Sequence, residues 1–215
     1  MEVQGFLCEI VLVHIVSLLV LSLIELPIFF IFFFYFNLSY WIALVYLFFF
    51  LVDRKTAELG GREQTFIRYL PFWKWVADSL PIRLHKTAPL PPDKNYIIGY
   101  HPHGILPIGA YINFCTEGTS ISTKFPGITT RLAITHNEFR FPLSRQFYLM
   151  HPLISSSKKS IESVLSAETK GNAVVVVIGG SREAMESHPG DIYKIVLKNR
   201  KGFIRLALKH GYDSR

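Results

Sequence analysis

Residues 171–180 read GNAVVVVIGG, and this stretch decides the fold class. A run of β-branched residues between glycines is typical of a strand covered on both faces, as in the centre of a parallel sheet. Residues 95–100 (NYIIGY) have the pattern of a second short buried strand. Residues 157–169 and 202–209 carry apolar side chains at helical spacing, and each segment is followed closely by a glycine. Strands that alternate with helices predict an α/β domain.

The N-terminal part of the chain is apolar and almost uncharged. Its first 52 residues contain no Lys or Arg and only three acids, Glu2, Glu9 and Glu25. As one helix, residues 10–52 would be about 65 Å long, whereas the hydrocarbon core of a bilayer is about 30 Å thick. Pro27 marks a turn within this run. The pattern therefore predicts a transmembrane helical hairpin in residues 1–52, with a lipid bilayer as partner; a soluble protein with a large buried hairpin is the alternative.

The rest of the chain is strongly basic. Residues 53–215 hold all 23 Lys and Arg residues and 13 of the 16 acids, because the other three acids precede them, which gives a net charge of +10. Basic residues that flank a span stay in the cytosol, so both chain ends are predicted there. Anionic lipid and phosphorylated ligands suit this charge. We expect no nucleic-acid partner, because no zinc-finger, helix-turn-helix or RNA-recognition motif accompanies the basic residues.

Two further segments follow the apolar run. Residues 53–93 alternate aromatic and basic side chains and end in a proline-rich linker. This pattern predicts an interfacial segment with its rings in the lipid headgroups, or an amphipathic helix packed on the domain. Residues 94–215 then form the α/β domain. Only two cysteines are present, Cys8 and Cys115, so a disulfide framework is excluded.

The strongest local signal for chemistry is HPHG, residues 101–104, directly after the first predicted strand. Ligands of open α/β sheets bind beyond the carboxyl ends of strands. A histidine there can take a proton from a hydroxyl during acyl transfer, and Gly104 permits close approach of a substrate. A plain polar loop and a His-x-His metal site are the alternatives. No metal site is predicted, because no HExxH or CxxC motif completes the pair.

Glu183 follows the second predicted strand and is a candidate for the same site. It is equally well explained as a carboxylate in the first turn of the next helix, where a negative charge is favourable. Neither a nucleotide-binding glycine loop nor a G-x-S-x-G nucleophile elbow occurs in the sequence.

Six motifs together resemble one known family. In order they are DSLPI (78–82), NYIIGYHPHG (95–104), NFCTE (113–117), FPGI (125–128), GGxxE (179–183) and RKGFIRLALKHG (200–211). They resemble the type-2 diacylglycerol acyltransferases, a family that includes monoacylglycerol and wax-alcohol acyltransferases. The resemblance covers residues 62–211. It implies an α/β acyltransferase domain like that of the glycerol-phosphate acyltransferases, preceded by the transmembrane hairpin, in a multi-pass protein of the endoplasmic reticulum membrane or the lipid droplet surface.

The resemblance also implies an activity. Such an enzyme moves a fatty acyl group from acyl-CoA, its co-substrate, to the hydroxyl of a mono- or diacylglycerol or a long-chain alcohol. No further cofactor is expected. His103 is then the general base and His101 its hydrogen-bonding neighbour. The His-x4-Asp signature of the glycerol-phosphate acyltransferases is absent, so Glu117 is the candidate for the carboxylate partner.

Binding residues can be named for this reaction. The start of the last helix offers positive charge and free N–H groups to the phosphates of CoA. The candidate cofactor-binding residues are therefore Arg200, Lys201 and Gly202, and the candidate substrate-binding residues are Gly104 and Glu183. A solvated, membrane-facing pair is the alternative for Arg200 and Lys201.

Relatives of this family continue beyond the segment that matches residues 200–211. We therefore expect a C-terminally incomplete acyltransferase domain with weak activity or none. Two alternative functions follow from that expectation. The chain could be an inactive truncated isoform that modulates a full-length relative as a homo- or hetero-oligomer, or a protein that only binds lipid surfaces.

Overall fold

The computed structural model describes residues 12, 16, 25, 27–31, 39–187 and 195–210. In this part of the chain, four parallel strands form one sheet in the order β1-β4-β2-β3. The strands are β1 (Tyr96–Tyr100), β2 (Thr129–Ile134), β3 (Leu153–Ser155) and β4 (Asn172–Val177).

Helices precede the sheet and connect its strands. They are α1 (Ser39–Val52), α2 (Thr65–Arg68), α3 (Pro71–Ser79), α4 (Ile108–Cys115), α5 (Ile121–Lys124), α6 (Pro142–Met150), α7 (Lys158–Leu165), α8 (Gly180–Met185) and α9 (Gly202–Lys209), with short 3-10 helices at Thr56–Glu58 and His136–Arg140.

Strand β4 lies inside the sheet, with β1 on one side and β2 on the other. Successive side chains of a strand point to opposite faces, and Val174 and Val175 are both fully buried. Val175 packs with residues of α4 and α6, whereas Val174 packs with residues of α7 and α9. Both faces of the sheet are therefore covered, which explains why the strand is apolar without alternation.

The transmembrane hairpin predicted for residues 1–52 is wrong. No helix among the described residues is both long and apolar enough to cross a membrane. Helix α1 has 14 residues, which is about 21 Å at 1.5 Å per residue. The rest of the predicted hairpin lies mostly outside the described residues. The fold class is thus corrected to a small α/β domain with a parallel sheet.

Helix α1 is attached to the α/β domain near its C-terminal end. The hydroxyl of Tyr46 donates to the carbonyl oxygen of Pro142 at 2.5 Å. Directly after the helix, Asp53 accepts a hydrogen bond from Nη1 of Arg145 at 2.7 Å. These polar contacts hold the end of the apolar run against the α/β domain.

The aromatic and basic segment packs on the domain through α2 and α3. Val76 and Ala77 are buried against Ile112 of α4. The ring of Trp73 meets that of Tyr111 edge to face, with centroids 5.4 Å apart, and its indole N–H donates to the carbonyl oxygen of Ile67 at 2.6 Å. Rings of this segment are thus part of the core of the domain.

Candidate active site

The site lies at the carboxyl ends of β1 and β4. Tyr100 and Val177 are paired across these two strands. Because the strands are parallel and adjacent, the segments that follow them start side by side at the carboxyl end of the sheet. These segments are residues 101–104 and 179–183. The structure thus brings together His101, His103 and Glu183, which the sequence placed after two separate strands.

The carboxylate of Glu183 is buried and holds two backbone segments. The residue is 2% exposed. Its Oε1 accepts the N–H of His103 at 2.5 Å, and its Oε2 accepts the N–H of Val196 at 2.9 Å. Burial raises the pKa of this carboxyl, but the two N–H donors and the neighbouring imidazoles outweigh that effect and lower it. Glu183 is therefore a buried anion.

The imidazole of His103 is oriented by its own loop. Its Nδ1 lies 2.8 Å from the carbonyl oxygen of Gly104. A carbonyl oxygen only accepts, so Nδ1 carries the proton and Nε2 keeps the lone pair. Gly104 adopts a φ of +65°, in the left-handed region that favours glycine. This arrangement gives His103 the tautomer that a general base requires at Nε2.

The second imidazole, that of His101, lacks hydrogen bonds to the part of the chain that the structure describes. Both of its ring nitrogens are buried without a hydrogen-bond partner there. Its Nδ1 lies 3.8 Å from Oε2 of Glu183, which is an ion-pair distance but too long for a hydrogen bond. Burying a polar group without a partner costs about 1–3 kcal/mol, so such atoms are typical of functional sites.

Gly179 lets Glu183 approach the end of β4. A Cβ at position 179 would overlap the Oε2, Cδ and Cβ atoms of Glu183. The carbonyl oxygen of Gly179 accepts a hydrogen bond from Nη2 of Arg200 at 3.1 Å. The GGxxE motif therefore provides room for a buried carboxylate and a backbone acceptor for a cation.

The candidate cofactor-binding residues lie close to the same carboxyl end of the sheet. Arg200 reaches it through its bond to Gly179. Lys201 is the exposed N-cap residue of α9, and a Cβ at Gly202 would meet no atom within 4 Å. The first turn of α9 contains no acid. A helix start with open space and nearby cations suits an anionic ligand.

Glu117 lies near the amino ends of the strands, opposite to the histidines. Its Oε1 accepts from Nε of Arg68 at 3.1 Å, and its Oε2 accepts from the N–H of Ser122 at 3.2 Å. Arg68 also donates to Oγ1 of Thr130 at 2.7 Å, near the start of β2. Through β4, Thr130 is in register with Tyr96, the first residue of β1. The histidines follow Tyr100, the last residue of β1. Tyr96 and Tyr100 are about 13 Å apart along the strand, at 3.3 Å per residue.

The structure does not bring Glu117 to the histidines, and it places Glu183 beside them. The N–H of Val196 is a further group of the site, and the sequence does not predict it. No sequence signal marks it, because a backbone donor is available at every residue except proline. Among the described residues, no group of three or more His, Cys, Asp or Glu side chains is arranged to hold a metal ion.

A comparison with protein families gives one match. The sequence model of the family described as diacylglycerol acyltransferase matches residues 32–214. This range includes both strands that lead to the site, the two histidines, Glu183 and Arg200.

Curated relatives agree with the family match. The chain is 44% identical over 176 residues to diacylglycerol O-acyltransferase 2 of Danio rerio, covering 81% of this chain and 48% of the relative. It is 42% identical over 172 residues to diacylglycerol O-acyltransferase 2 of Homo sapiens, covering 80% and 44%. It is 41% identical over 174 residues to 2-acylglycerol O-acyltransferase 1 of Mus musculus, covering 80% and 52%. The chain therefore spans about half the length of these relatives. No solved structure matches it significantly.

Proposed function

The chain belongs to the diacylglycerol acyltransferase family, and we propose that it is an O-acyltransferase acting on acylglycerols. In this proposal, a fatty acyl group moves from acyl-CoA to the free hydroxyl of a mono- or diacylglycerol. The names of the relatives support an acylglycerol acceptor. A long-chain alcohol is the other acceptor that the sequence resemblance allows.

One observation carries the proposal, namely the contact of Nδ1 of His103 with the carbonyl oxygen of Gly104 at 2.8 Å. The Nδ1 proton is held by the carbonyl oxygen of Gly104, so the lone pair of Nε2 is free to accept a proton. A general base must hold its lone pair ready for the hydroxyl that it activates. His103 is half-buried at the carboxyl end of the sheet, where ligands of α/β domains bind.

The reaction follows from this geometry. Nε2 of His103 accepts the hydroxyl proton as the acceptor oxygen attacks the thioester carbonyl carbon. A tetrahedral intermediate forms, the C–S bond then breaks, and the imidazolium of His103 returns the proton to the departing CoA thiolate. Glu183 accepts the backbone N–H of His103 and so holds the loop that carries this base.

The other residues of the site bind the donor. Arg200 and Lys201 attract the phosphates of CoA, and the free N–H groups at the start of α9 add hydrogen-bond donors. The reaction requires neither a metal nor a resident cofactor, because the thioester is already activated and His103 supplies the base. The location at the endoplasmic reticulum or the lipid droplet stays a prediction from the family resemblance.

The experiment is an acyl-transfer assay with labelled acyl-CoA and three acceptors: monoacylglycerol, diacylglycerol and a long-chain alcohol. We expect the parent chain to form the acylglycerol ester at a low but measurable rate, in line with the weak activity that the sequence predicts. His103→Ala should lower the rate by about 10²–10⁴, which is the usual contribution of a general base.

His85→Ala is the matched control, because His85 is exposed and lies in the linker before β1. It should keep the parent rate. A parent chain without ester formation on any acceptor would contradict the proposed function. A His103→Ala variant with more than half of the parent rate would remove His103 from the mechanism.

A further inference from the structure

We infer that Glu183 is a positioning residue that holds His103 through its backbone, and that it does not contact substrate. The inference rests on the proposed function, because it assigns a role within that reaction. The sequence placed Glu183 among the substrate-binding residues, and its contacts indicate a different role.

Both oxygens of Glu183 are already occupied. Oε1 accepts the N–H of His103 and Oε2 accepts the N–H of Val196. The residue is 2% exposed. A substrate hydroxyl could reach this buried carboxylate only if the packing around it opened and disturbed the two backbone donors, which would then lose their partner.

The bond to His103 is the anchor of the histidine loop. Pro102 has no N–H, so the N–H of His103 is the first backbone donor that the loop offers after His101. It points to the carboxylate, while the side chain of His103 is bound to Gly104 through Nδ1. Two hydrogen bonds, one on the backbone and one on the ring, thus fix the direction of Nε2.

The same carboxylate connects three segments. Residues 101–104 follow β1, Gly179 follows β4, and Val196 precedes the helix that carries the predicted CoA-binding residues. Packing at Gly179 leaves no room for a side chain between the strand end and Glu183. Moving the carboxylate would therefore displace the base relative to the donor site. A misplacement of about 1 Å can cost about 10²-fold in rate.

Glu183→Gln tests the inference because it preserves size and removes the charge. One accepting oxygen becomes an NH2 group, which cannot accept from His103 or Val196. We expect faster hydrogen exchange in the peptide that contains His103 or in the one that contains Val196. In steady-state assays kcat should fall by at least tenfold, while KM for both substrates should change far less, because ground-state binding is intact.

Two further variants sharpen the test. Glu186→Gln is the matched control, since Glu186 follows the same short helix and forms a partly exposed ion pair with Arg182 at 3.8 Å. It should leave exchange, kcat and KM at parent values. Glu183→Asp keeps the charge but is one methylene shorter, so it should recover part of the lost kcat. It also serves as the readout if Glu183→Gln fails to fold.

Unchanged exchange at both peptides would overturn the inference, and so would a rise in KM with kcat preserved, which indicates direct contact with substrate. If the parent has no acyltransferase activity, the proposed function fails. Hydrogen exchange then still reports separately whether Glu183 anchors the loop.

Discussion

Nη2 of Arg200 donates a hydrogen bond to the carbonyl oxygen of Gly179 at 3.1 Å. This bond joins the segment before α9 to the segment that follows β4, at the carboxyl end of the sheet, where the two histidines lie. A guanidinium has five N–H donors in a planar fork, so donors other than the one bound to Gly179 can meet a ligand. One arginine can therefore bind the protein backbone and a phosphate together.

Arg200→Ala should weaken the binding of the acyl donor. Loss of one charge-assisted bond of about 1.4 kcal/mol corresponds to a tenfold rise in KM for acyl-CoA, with KM for the acceptor unchanged. The measurement is initial rate against the concentration of each substrate. Arg182→Ala removes a mostly exposed arginine that forms an ion pair with Glu186, and it should leave KM for acyl-CoA unchanged. Equal effects of the two variants would argue against a donor site at Arg200.

Glu117→Gln should affect stability and leave chemistry intact. Glu117 accepts from the guanidinium of the buried Arg68 and from the N–H of Ser122. Weakening these bonds should lower the free energy of unfolding by about 1–3 kcal/mol. The measurements are chemical denaturation and kcat per folded molecule. A large fall in kcat with unchanged stability would return Glu117 to the reaction as the carboxylate partner.

Arg145→Met should destabilise the attachment of α1. Arg145 is 1% exposed, and it binds the side chain and the carbonyl oxygen of Asp53. Asp53 is partly exposed and also pairs with Arg62, so losing the hydrogen bonds of Arg145 should cost about 1–3 kcal/mol. Limited proteolysis should then cut the chain near residue 53 sooner, and the thermal midpoint should fall.

Lys158→Met is the control for Arg145→Met. Lys158 is exposed and lies 3.9 Å from Glu162 on the same helix. Exposed pairs of this kind contribute about 0.3–0.5 kcal/mol, so the variant should retain almost all of the parent stability. A similar loss in both variants would contradict the role assigned to Arg145.

Acid should weaken the fold through Glu183. The pKa of this carboxyl is lowered in the folded protein from an ordinary value of 4.5. A depressed folded pKa gives stability that is fully present above the unfolded pKa and is lost as the pH falls through the folded value. The thermal midpoint of the parent should therefore drop more between pH 6 and pH 3 than that of Glu183→Gln. Parallel curves would show that the buried carboxylate contributes nothing to acid sensitivity.

Much of the α/β domain follows from local sequence patterns. The β-branched run within residues 171–180 is strand β4 (Asn172–Val177), and the helix predicted at 202–209 has those bounds in the structure. Both patterns are local, because burial on two faces requires an apolar strand and burial on one face requires helical spacing. Strands β2 and β3 were not foreseen. Arg131 lies in the middle of β2, where it bonds to Asn172, and a charged residue hides the apolar pattern.

Local sequence patterns suffice to predict an α/β domain with an HPHG loop after one strand and a GGxxE turn after another. Apolar periodicity and glycine positions are local properties, so they can be recognised without contacts. The carboxylate that lies near the histidines, in contrast, is known only from the three-dimensional fold. Glu117 is closer in sequence to His103, but Glu183 reaches it because β4 pairs directly with β1. Sheet order is set by the packing of segments that are distant in sequence, and no local pattern reveals it.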